Sequence, residues 1–203
     1  ATFVNGLAVS GGTPARSWAE YVAWVRGSQN GKSVVGVPAP ASVPEFLVKV
    51  LAERNRLDLV AAPYRGSAPL IQDMLGQQIP AGVASVPDFI ENHRAGKLRM
   101  VAVIGDRRQA VLPDVPTFKE LGLAGFEDLP YYGIWAPAGT PKATLDGFSA
   151  AVAKALANPA VNQRLTAMGL SVGHMNGEQL GKVEHDYTAT WSRIIKASGF
   201  QAN

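Results

Sequence analysis

Apolar positions along the chain recur at two periods, and the alternation between them lays out the elements. Short apolar runs rich in β-branched residues predict strands at Phe3–Val9, Ser33–Val37, Leu57–Ala62, Ile79–Ala84 and Leu98–Ile104, with further extended segments at Tyr131–Ala136 and Leu170–Val172. Between them lie segments whose apolar residues step by three and four. Ser17 with Glu20 reads as a capping box ahead of a helix facing inward through Trp18, Tyr21, Val22 and Val25 and closed by Gly27. Ser42 with Glu45 opens a second, with Phe46, Leu47, Val50 and Leu51 inward. Ser85 with Asp88 opens a helix carrying Phe89 and Ile90 and ending at Gly96, and Thr117 with Glu120 opens a short one ending before Gly122.

The final third is more helical. Thr140-Pro141 starts a helix with Leu145, Phe148, Val152 and Leu156 on one side, and Asn158-Pro159 breaks it and starts another bearing Val161, Leu165 and Met168. From about Gly177 to Lys196 a long helix shows Leu180, Val183, Tyr187, Trp191, Ile194 and Ile195, a stripe suited to packing on a sheet. Strands alternating with helices over most of the length predict an α/β fold around a mostly parallel sheet.

The stretch from Leu59 to Pro69 carries the most chemistry, because an apolar strand there runs through Tyr64-Arg65-Gly66 straight into a helix. Ser67 reads as its N-cap, Pro69 lies in the first turn where a missing N–H is harmless, and Leu70, Ile71, Met74 and Leu75 mark the buried face before Gly76. Free N–H groups from about Ser67 to Leu70, with the positive end of the helix dipole behind them, suit a carboxylate or a phosphate. The same spacing also fits an ordinary capped helix that binds only water.

Composition narrows the function classes. With 203 residues, 47% of them hydrophobic, the chain has material for a sizeable core. Nineteen basic against 16 acidic side chains give +3 without a basic run, so nothing calls for nucleic acid. His93, His174 and His185 are scattered and there is no cysteine, which leaves no metal site, no thiol chemistry and no cofactor motif. No apolar run approaches the roughly 20 residues needed to span a bilayer. No nucleophile elbow, no Ser–His–Asp spacing and no paired carboxylates stand out, so an enzyme is not expected.

Three ordered segments, Pro63-Tyr64-Arg65-Gly66-Ser67-Ala68-Pro69, Leu112-Pro113-Asp114-Val115-Pro116-Thr117 and Tyr132-Gly133-Ile134-Trp135-Ala136-Pro137-Ala138-Gly139-Thr140-Pro141, together with Ala95-Gly96-Lys97-Leu98-Arg99, resemble the Bug family. These are periplasmic solute receptors of tripartite tricarboxylate transporters. The resemblance implies a type II periplasmic-binding-protein fold of two α/β lobes that close over a small organic solute, often a carboxylate, with membrane transporter subunits as partners. On that mapping residues 10–130 form a complete second lobe, while 1–9 and 131–203 return to a partial first lobe whose leading strands lie outside this sequence. The uncovered remainder is then expected to be completed by another chain, by a swapped copy or by a rearranged sheet.

The resemblance also implies ligand contacts at Tyr64, Gly66, Ser67 and Ala68, with Ser42 and Ser85 as further candidates. Two departures stand out: Glu45 occupies a position where the family usually has histidine, and Pro80 one where it has an aspartate near the site. A glutamate reaching the cleft would compete with an anionic solute. These departures keep a second expectation open, a diverged or truncated receptor acting as an interaction module. Tyr131 and Tyr132 would sit at a hinge crossing.

Overall fold

The computed structural model describes residues 1–197. Five strands and seven helices alternate as expected: β1 (Asn5–Ser10), α1 (Trp18–Ser28), β2 (Lys32–Val37), α2 (Val43–Asn55), β3 (Asp58–Pro63), α3 (Ser67–Leu75), β4 (Ala81–Ser85), α4 (Val86–Arg94) and β5 (Leu98–Val103), then α5 (Lys142–Ala157), α6 (Pro159–Ala167) and α7 (Gly177–Ala197). The strands form one sheet in the order β3-β2-β4-β1-β5. β2 pairs in parallel with β3 and β4, whereas β1 runs antiparallel between β4 and β5.

That placement differs from what the resemblance implies for residues 1–9, because Asn5–Ser10 is buried inside this sheet, between β4 and β5. Ahead of it, Thr2 bridges to Tyr131 and to Ser171. A strand of small and aliphatic residues, Asn5-Gly6-Leu7-Ala8-Val9-Ser10, satisfies its ladder on both edges there, which an outer position would leave half unpaired.

The core is built from the predicted inward faces. Trp18, Tyr21 and Val25 of α1, Phe46, Leu47 and Leu51 of α2, Leu70 and Met74 of α3, and Phe89 and Ile90 of α4 all lie buried against the sheet's Leu7, Val9, Val35, Val83 and Val101. Tyr21 carries its hydroxyl into this interior and pairs it with Ser33 Oγ at 2.9 Å. Burial pushes that phenol up to about 12. Two glycines decide how closely α3 approaches. A methyl group on Gly36 would come within 2.7 Å of Ile79 Cδ1, and one on Gly82 within 2.7 Å of Met74 Sδ, so helix and strands touch only because both side chains are missing.

Three predicted elements are shorter than expected. Thr117 and Glu120 do form a reciprocal box, with Glu120 N–H donating to Thr117 Oγ1 at 3.1 Å and Thr117 N–H to Glu120 Oε2 at 2.8 Å. Gly122 nevertheless stops the chain after one turn, so no helix follows. Tyr131–Ala136 and Leu170–Val172 make only single bridges to Thr2 rather than strands.

Beyond Pro130 the burial changes. α5 and α6 pack on each other, yet neither contains a buried residue. Tyr132, Ile134, Trp135, Leu145, Phe148, Val161, Met168 and Met175 are all exposed. The stripe on α7 reaches the core at its C-terminal half, where Trp191 is buried and Tyr187, Ile194 and Ile195 pack beside it. Among the described residues no helix is long and apolar enough to cross a membrane.

Candidate functional site

The carboxyl ends of β2, β3 and β4 lie side by side, and the loops leaving them meet. Tyr64 N–H donates to Val37 O and Gly66 N–H to Pro38 O, both at 2.8 Å, so the turn after β3 is fastened to the loop after β2. Open α/β sheets present ligands at such an edge.

Gly66, not Ser67, is the N-cap of α3. Its φ of 100° is strained for any residue with a Cβ, although nothing crowds the position. Ser67 is therefore the first helical residue. A glycine cap has no side chain to accept from the helix, so the amides of Ser67 and Ala68 have no acceptor among the described residues, and Pro69 has no N–H. Gly66 and Ala68 are exposed, and Ser67 is half-buried. Two unpaired donors at the positive end of a helix, open to solvent, suit one carboxylate.

The Ser67 hydroxyl is turned elsewhere. It donates to Asp88 Oδ1 at 2.8 Å, while Ser85 Oγ donates to Asp88 Oδ2 at 2.6 Å. Ser85 stands at the N-cap of α4 but makes no side-chain cap bond; its hydroxyl is turned to the carboxylate three residues on. The expected Ser85–Asp88 box is thus replaced by a clamp across two helix starts. Asp88 as a site residue escaped the sequence reading, since an acid at that spacing looks like half of a box.

Tyr64 lies in the turn, but its hydroxyl donates to Asp73 Oδ2 of α3 at 2.7 Å. Desolvation, then the bond to Asp73 and its charge, push this phenol up to about 12. Ser42 is the cap of α2: it accepts from Glu45 N–H at 3.4 Å and donates to Ala39 O at 2.6 Å. Glu45 Oε2 accepts from Ala41 N–H at 2.7 Å while Oε1 pairs with Lys49 at 3.0 Å, so its charge is held within α2 rather than offered to the turn. Pro80 corrects another expectation. It precedes β4 at the end opposite Ser85, roughly 16 Å away along a five-residue strand, so the substitution there does not touch this turn.

Tyr131 meets Tyr187 edge to face and lies tilted against Trp135, and exposed Tyr132 stacks on Phe3 with ring centroids 5.0 Å apart. The structure gathers Tyr64, Gly66, Ser67, Ala68 and Ser85 at one edge and leaves Ser42 in its cap. A separate cavity lies between the C-terminal half of α2, Gly125–Asp128 and α7, and none of the turn residues lines it. No cluster of three potential metal ligands occurs among the described residues.

Residues 1–200 match the tripartite tricarboxylate transporter family receptor. The chain belongs to that receptor family. It is 27% identical to Protein BugT of Bordetella pertussis over 83% of this chain and 52% of that protein. An R. palustris protein solved with adipate superposes with a TM-score of 0.89 at 25% identity, over 98% of this chain and 66% of the other. The periplasmic binding protein BugD gives a TM-score of 0.85 at 27% identity over 100% and 69%. MatC from Rhodopseudomonas palustris, with bound malate, gives 0.80 at 25% identity over 95% and 66%. The fold is that of the family's periplasmic binding proteins. The chain spans about half the length of the curated relatives it matches.

Proposed function

We propose that this chain is the ligand-holding portion of a periplasmic receptor that captures a small organic acid and presents it to the membrane subunits of a tripartite tricarboxylate transporter. One observation carries the reading: the two unpaired amides of Ser67 and Ala68 stand at the exposed carboxyl edge of a sheet whose relatives were solved with adipate and malate. The acid's carboxylate takes those amides, Gly66 lets it approach the backbone, and Tyr64 and Ser85 wall the turn. Glu45, neutralised by Lys49, does not compete. Binding, not turnover, is the role.

In this reading the sheet from β1 to β5, with the connections through Pro130, is the second lobe. Thr2 and the segment after Tyr131 belong to the first, whose exposed apolar side chains are covered by further chain or by a second copy. Those same uncovered residues favour one other reading, an assembly module that no longer holds a solute.

A thermal-shift titration with mono- and dicarboxylates, hydroxy acids and amino acids separates the two. Saturation at a hundred times Kd adds about 2.7 kcal/mol to a receptor. A folded sample that no acid in the panel stabilises, and that elutes as an oligomer, supports the assembly reading instead.

A further inference from the structure

We infer that His93 is an acid-sensitive latch: its imidazole holds the last turn of α4 against the outer edge of the sheet and lets go when the ring takes up a second proton. The inference stands apart from the receptor reading, since none of its residues lies at the turn after β3.

β5 is the last strand of the sheet, so one of its edges meets no strand. Along β5, Val103 N–H donates to Pro116 O at 3.0 Å and Val103 O accepts from Phe118 N–H at 2.8 Å, both partners lying outside the sheet. Met100 N–H is taken by a side chain instead, His93 Nδ1 at 3.2 Å. The end of α4 makes this link possible. Gly96 takes a φ of 68° and Lys97 N–H returns to Asn92 O, so β5 starts back alongside the helix that carries His93. Met100 is buried and His93 half-buried, which leaves the amide dependent on the ring and the ring within reach of protons.

Nδ1 accepts only while it carries no hydrogen. The bond therefore requires the neutral ring with its hydrogen on Nε2. An imidazolium has N–H at both nitrogens, sets one donor against another and leaves the Met100 amide without its acceptor. The surrounding charges act in the same direction. Arg99 of β5 and Arg94 of α4 both oppose a cation there, Glu91 is already paired with Arg94 at 2.8 Å, and among the described residues no carboxylate forms an ion pair with His93. Burial first, then these two arginines, hold the imidazole below its ordinary 6.5. With the folded-state value below the unfolded one, the latch's contribution is intact above pH 6.5 and is lost as pH falls through the folded-state value.

Amide hydrogen exchange of the full chain, read by NMR between about pH 7 and pH 5 and corrected for the intrinsic rate at each pH, tests the latch. Met100 protection should fall about tenfold across that window, while Val103, whose acceptor is a backbone carbonyl, holds steady. His93→Asn keeps an acceptor oxygen near the place of Nδ1 without the titration, so its Met100 protection should not change with pH. His93→Phe removes the acceptor and should leave Met100 poorly protected at both ends, and far-UV circular dichroism checks that the variants fold. A flat Met100 profile in the unaltered chain would overturn the inference, as would nitrogen NMR of the imidazole showing its hydrogen on Nδ1 at neutral pH. Acid loss in His93→Asn as large as in the unaltered chain would also overturn it, since the proton then acts elsewhere. The first two results are read on the unaltered chain and decide the question whether or not the variants fold.

Discussion

Phe89 and Phe148 sit on the inward stripes of two amphipathic helices, yet Phe89 is fully buried and Phe148 is 54% exposed. The contrast runs through the whole molecule. From β1 to Phe126 nearly every apolar position predicted to face inward meets a strand or helix that covers it. From Tyr131 to Met175 the same kind of pattern leaves its apolar side chains exposed or half-buried, and α5 and α6 pack mainly on each other. Apolar periodicity states which face of a helix is unfavourable in water; it does not state whether another surface arrives to cover it.

The largest expected effect tests this comparison directly. Phe89→Ala should lower the unfolding free energy of the chain by about 3–5 kcal/mol, whereas Phe148→Ala should stay within about 0.5 kcal/mol, both read from urea unfolding followed by circular dichroism. A large loss at Phe148 would mean that the helical tail is covered in solution, as by a second copy, and dilution would then change it.

Next comes the interior of the sheet lobe. Tyr21→Phe leaves the Ser33 hydroxyl buried without its partner and should cost about 1–3 kcal/mol at neutral pH. The phenol also has a pH signature: with its folded-state value at about 12 against an ordinary 10.0, its stabilisation is intact below pH 10 and is lost as pH rises towards 12. The unaltered chain should lose stability across that window, and the phenylalanine variant should lose less. An identical alkaline slope in both would show that Tyr21 ionises as easily folded as unfolded.

The smallest effects compare caps of equal chemistry on the two sides. Ser42 caps α2 in the lobe, and Asn158 caps α6 in the tail by accepting from Ala160 N–H at 2.9 Å. Ser42→Ala should lower the unfolding midpoint by an amount worth about 1 kcal/mol, while Asn158→Ala should reduce helix content without moving the midpoint of the lobe. Equal shifts would show the two regions unfolding as one unit.

Much of the lobe was legible before any coordinates. The boxes at Ser17 and Ser42, the burial of Trp18, Phe46, Leu70 and Phe89, and the five sheet strands follow from spacing and capping, which act within a few residues. The turn after β3 was legible for the same reason. Its details were not: the cap moved to Gly66 because a positive φ there aims the chain into α3, and Asp88 turned from capping its own helix to holding Ser67, 21 residues away. The helix expected at Thr117 shrank to one turn because its box was real but Gly122 followed too soon.

On its own, then, the order of residues determined most of the segments that become helices and strands, which faces avoid water, and that a helix follows the turn after β3, since each depends on neighbours close along the chain. Only the assembled sheet decided that β1 lies between β4 and β5, that Pro80 and Ser85 stand at opposite ends of β4, and that two serine protons converge on Asp88. Those are contacts between distant segments, and strand order, which no local preference encodes, brings them together.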